Sequence, residues 1–110
     1  TRRNNAGRGF GAMNLAGFRR SLADETPPCG QSPALAALWH GAKGEWDKAH
    51  AIVQEESSAD AAWVHAWLHR VEGDPSNARY WYGQAGKAES DGSTETEWAA
   101  IVAALLETKG

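Results

Sequence analysis

Cysteine is all but missing from this chain of 110 residues: Cys29 stands alone. One thiol excludes an internal disulfide framework and any zinc site built from several cysteines. Cys29 follows two prolines and has no neighbouring base to lower its pKa, so thiolate catalysis is not expected there. Long apolar runs are lacking too. The longest, Trp98 to Leu106, spans nine residues, well short of the roughly 20 that cross a bilayer. No basic leader with an apolar stretch and a cleavage site is recognised, so the expectation is a cytoplasmic protein without membrane contact. Nor does any segment alternate apolar and polar residues at the strand period. A phosphate-binding glycine loop and a serine nucleophile elbow are both missing. The chain is therefore expected to be non-catalytic and to need no cofactor.

Charge is present but uneven. The net value is -3, yet residues 1–20 carry +5 and the remainder -8. A basic arm of this kind can meet phosphate. Here the acidic body repels nucleic acid, and no interleaving of aromatic and basic residues follows, so nucleic acid is not an expected partner. Residues 1–12 are rich in Gly, Asn and Arg and have no apolar period. They read as a flexible basic tail or an upstream remnant. The hydrophobic share of 42% then suits one all-α domain over residues 13–110.

Helix punctuation is strong within that domain. Asn14 can cap a short helix to about Ala23, with Leu15, Phe18 and Leu22 on one side. The linker DETPPCGQ breaks the chain at 24–31. Ser32-Pro33 then opens a helix with a cap hydroxyl and proline at the first helical position, ending at Lys43 before Gly44. A helix at 45–56 buries Trp46, Ala49, Ile52 and Val53. Asp60 is expected to cap the next, which stops at Gly73, and Asp74-Pro75 opens another that stops at Gly86. Ser93 or Thr94 caps the last, from Glu95 to about Glu107.

The middle of the chain repeats itself at a shift of 29 residues. Ala37 falls on Ala66, His40 on His69, Gly44 on Gly73, Glu45 on Asp74 and Ala49 on Ala78. Ile52-Val53 falls on Trp81-Tyr82. Each unit is a helix, a glycine stop, an acidic cap and a second helix, giving hairpins at 33–57 and 60–86. Small alanines let two antiparallel helices approach, and the bulky pair one turn later fills the seam.

These marks resemble the tetratricopeptide repeat. The first unit supplies Ala37, Gly44, Glu45, Trp46 and Ala49; the second supplies Ala66, Gly73, Asp74, Ala78, Tyr82 and Ala85. The departures are a period of 29 against the usual 34, Pro75 at an aromatic position, and His40 and His69 at a tyrosine-like one. Two units also fall short of the usual three or more. The resemblance implies two antiparallel hairpins in a right-handed stack, flanked by an N-terminal and a C-terminal helix, that bind a protein or peptide. The stretch from Phe18 to Leu106 is also similar to a group of short bacterial proteins without assigned function.

Two sets of residues are candidates for function. In AAWVHAWLHRVE, His65, His69 and Glu72 fall at i, i+4 and i+7 on one stripe, opposite Trp63, Val64, Trp67 and Val71. Two imidazoles four apart can ligate one zinc or nickel ion, with the carboxylate as a third ligand, and His40 could face the same seam. The plain alternative is that these histidines fill space between helices with ordinary hydrogen bonds. The second set is aromatic. Six tryptophans occur, most of them suited to the core, where each ring buries about 150–250 Å². Trp63 and Tyr80 fall at its margin by helical phase, and Trp98 leads the apolar last helix. These three are the candidate contact residues for a protein or peptide, and the stretch 95–107 could instead pair two copies of the chain. A small-ligand pocket walled by tryptophans is the third possibility.

Overall fold

The computed structural model describes residues 13–109, and these form six helices. They are α1 (Leu15–Ser21), α2 (Pro33–Ala42), α3 (Trp46–Gln54), α4 (Ala59–Glu72), α5 (Pro75–Ala85) and α6 (Thr94–Lys109). The tail at 1–12 lies outside the described residues. No strand occurs among the described ones, as the missing alternation required. None of the helices is long and apolar enough to cross a membrane.

Caps set most of the boundaries. Ser32 Oγ accepts from the Leu35 amide at 3.3 Å, and Pro33 takes the first position of α2, where its missing N–H leaves nothing unpaired. Asp74 and Pro75 do the same for α5, with Asp74 accepting from the Asn77 amide. The start of α4 differs from expectation. Its cap is Ser58, whose Oγ takes the Ala61 amide at 3.0 Å, while Asp60 sits inside the first turn. A carboxylate there still faces the positive end of the helix dipole. Ser93 Oγ accepts from the Thr96 amide and caps α6. Gly44 and Gly73 both take the left-handed conformation, with φ of 79° and 83°. Each turn can therefore reverse the chain without a Cβ clash.

Consecutive helices pack on one another: α2 on α3, α3 on α4, and α4 on α5. The centre is α4, which also meets α2 and α6. Both of its sides are consequently buried. Val64, Trp67 and Leu68 join the main core with Phe18, Leu35, Leu38 and Trp39, while Ala66 joins a smaller cluster with Ala78 and Tyr82. Val71, expected on the apolar side, is 45% exposed near the end of the helix. Close approach depends on Gly41 of α2. A Cβ there would lie 2.6 Å from Trp67 Cζ3, so the indole occupies the space a side chain would need.

The last helix places its apolar side inside this core. Trp98, Ile101, Val102 and Leu105 are all buried, and α6 packs on α1, α2 and α4. Trp98, an expected contact residue, is thus largely enclosed by the core. It is 6% exposed, and its indole donates to the Leu38 carbonyl at 2.9 Å. An amphipathic ring is costly to bury unless its N–H finds an acceptor, and this carbonyl supplies one.

Candidate metal centre

Three imidazoles meet where α3 crosses α4. His65 and His69 come from α4, one turn apart, so their rings lie parallel with centroids 5.0 Å apart. His50 comes from α3 and completes the group. Its Nε2 lies 3.0 Å from His65 Nε2, and its ring centroid is 5.4 Å from that of His69. One ligand nitrogen of each falls within 4.8 Å of the others. Two nitrogens bound to one tetrahedral zinc, each 2.0–2.1 Å away, are about 3.3 Å apart. The His50–His65 spacing is within a few tenths of an ångström of that value.

The surroundings hold the rings in place. Trp46, one turn before His50, stacks on it with centroids 4.7 Å apart and planes 12° off parallel. From α5, Trp81 stacks on His65 at 3.9 Å and 8°. The Trp46 indole is tied to the Leu68 carbonyl at 2.7 Å, which fixes α3 against α4 beside the histidines. Glu72 Oε1 accepts from His69 Nδ1 at 2.5 Å. That bond selects the tautomer with its lone pair on Nε2, the arrangement in which a carboxylate orients and enriches a metal-binding imidazole.

Electrostatics favour the neutral form of His50 and His65. His65 and His69 are 4% and 6% exposed. Desolvation, then the nearness of His50 and His69, pushes the His65 pKa down to about 4. Desolvation, followed by the His69 charge, lowers that of His50 as well. Neutral imidazole is the form that ligates a metal. Without a metal, one of the facing Nε2 atoms must donate and the other accept.

Only part of this was placed from sequence. His65 and His69 share the site as expected. Glu72 contacts the far nitrogen of His69 and falls with it and Asp74 in a second group of possible ligands, while the ring that joins His65 and His69 is that of His50. His40 is elsewhere. Its Nδ1 contacts Glu45 Oε1 at 2.7 Å, and this bond, with smaller help from Lys48, lowers the Glu45 pKa against its desolvation. His50 escaped notice because no second histidine lies on its own helix. The available signal was Trp46-x-x-x-His50, four apart on the seam-facing side of α3.

The aromatic candidates separate in space. Tyr80 is 56% exposed and lies edge-on to Trp81. Trp63 is half-buried against the smaller cluster, with Lys87 Nζ 4.2 Å above its ring. A groove of about 490 Å³ opens elsewhere, with Arg19, Leu22, Trp67, Val71, Glu95 and Trp98 among its lining residues.

The chain matches no family model, and no curated protein or solved structure matches it.

Proposed function

We propose that the protein binds a divalent transition-metal ion through His50, His65 and His69, with Glu72 orienting His69. The observation that carries this reading is the convergence of three imidazole nitrogens within 4.8 Å. Imidazole sets of this kind suit zinc, copper and nickel. Packing alone would not need three polar rings at one point, each supported by a stacked indole or a carboxylate. Calorimetric titration of tag-free protein with zinc tests it. One ion per chain is expected, with at least a tenfold loss of affinity in His50→Ala, His65→Ala and His69→Ala. His40→Ala serves as the control and should keep wild-type affinity. Equal binding by all four variants sinks the proposal.

The fold around the site is read as two tetratricopeptide-like hairpins, α2–α3 and α4–α5. Support comes from the left-handed Gly44 and Gly73 at matching places and from the buried Ala49 and Ala78 in the seams. A second reading, a protein- or peptide-binding module, is favoured by the groove over Trp67 and Trp98. Its volume lies within the roughly 300–1,000 Å³ of ligand pockets. Peptide binding that persists after zinc is stripped, and is lost in Val71→Glu at the groove, would belong to this reading.

A further inference from the structure

Resting on the metal reading, we infer that the centre is coordinatively open: three imidazoles hold the ion, and its fourth position takes an exchangeable water or small monodentate anion. The donor inventory supports this first. Among the His, Cys, Asp and Glu side chains of the described residues, the ligand atoms that lie within 4.8 Å of one another at this point are those of His50, His65 and His69. Residues 1–12 contain no His, Cys, Asp or Glu and offer no side-chain donor of these kinds. The nearest carboxylate, Glu72, is engaged by the opposite nitrogen of His69, so it supports a ligand and does not become one. Asp74, which falls in a second group with His69 and Glu72, caps α5 through the Asn77 amide.

The walls support it next. Indole rings cover His50 and His65, and neither ring carries a lone pair suited to a metal. The Trp46 N–H is committed to Leu68. A tetrahedral ion held here would therefore lack one ligand, which is the pattern of catalytic zinc sites and not of closed structural ones.

Charge balance names the chemistry of the missing ligand. Three neutral imidazoles leave a divalent ion with its full charge in a partly desolvated seam. An isolated charge is costly there. A singly charged anion in the fourth position relieves it, and a metal-bound water meets the same need by releasing a proton. His50 is the half-buried member of the group, so it marks the side of the centre nearest solvent.

Cobalt(II) reports directly on coordination number. Full-length metal-free protein is titrated with cobalt, and sodium azide is then added to the one-to-one complex. The expected result is the intense visible absorption of a four- or five-coordinate ion, shifted saturably by one azide per cobalt, with cobalt retained after desalting. His40→Ala should behave identically. If cobalt binds but its band ignores both azide and thiocyanate, the centre is closed and the inference fails while the metal reading stands. A pale six-coordinate spectrum also overturns it. Failure to take up cobalt at all removes the metal reading and this inference together.

Discussion

Two histidines stand 29 residues apart, each with a carboxylate partner at a non-matching position, yet they live in different company. His40 and Glu45 tie the end of α2 to the start of α3 at 2.7 Å, with Trp39 edge-on to the imidazole. His69 and Glu72 form a similar contact at 2.5 Å, but His69 also faces His65 and His50. The neighbours make the difference. Shifted by 29, His65 corresponds to Ala36 and His50 to Ser21. Ser21, at the end of α1, accepts the Trp39 indole N–H at 3.1 Å, a structural bond with no ligand chemistry. Positions matched by the 29-residue shift thus carry a local tie in one place and a donor cluster in the other.

The sharpest way to break this comparison is to neutralise both carboxylates. Glu72→Gln should weaken zinc binding about 10–100-fold, the usual cost of losing the partner of a metal-bound histidine. Glu45→Gln should leave it unchanged. Equal losses, measured by competition with a chelating dye, would mean that the two pairs do not differ in role.

Overpacking probes the shared frame. Ala49 and Ala78 are both buried, at 0% and 3% exposure. Replacing either with Leu should cost roughly 1–3 kcal/mol, since added methylenes force the helices apart. Urea denaturation of each variant checks this. Similar losses support equivalence of the hairpins, and a loss at one position alone breaks it.

A last test is pH dependence in the metal-free protein. The folded-state pKa of His65, near 4, and the lowered value of His50 lie below the ordinary 6.5. The unfolded chain therefore binds more protons on acidification, and stability must fall as the pH drops from about 6.5 toward 4. Glu45 adds its own loss only below its ordinary value of 4.5. Between those limits the decline belongs to the second seam, and His65→Phe should flatten it. An undiminished slope in that variant would assign it elsewhere.

Helices and their ends were legible because the signals are local. Ser32-Pro33, Asp74-Pro75 and the glycine stops act within four residues of where they stand. Cap choice at α4 was harder, since Ser58 and Asp60 are both good acceptors and lie two residues apart. The site was half legible. His65 and His69 share one helix, so spacing alone unites them, whereas His50 joins only through the packing of α3 on α4. The same limit hid how Trp98 is anchored: helical phase marks an apolar side but not the carbonyl of Leu38, 60 residues away, that receives its N–H. Gly41 gave no sign of its importance either, because the obstruction it avoids is the Trp67 ring on another helix.

One further tie bears on the order in which the molecule is completed. Glu97 of α6 is buried and accepts from Arg70 at 2.6 Å and from the Tyr82 hydroxyl at 2.5 Å. Arg70 follows His69 directly, and Tyr82 follows Trp81. The carboxylate thus clasps the residues next to one metal-ligand candidate and next to the indole that covers another. A nascent chain that has emerged only through α5 already contains all three histidines but lacks this clasp. Removing one member of a buried ionic group leaves the others uncompensated at a cost of several kcal/mol. The three histidines are therefore synthesised before the helix whose carboxylate steadies their neighbours.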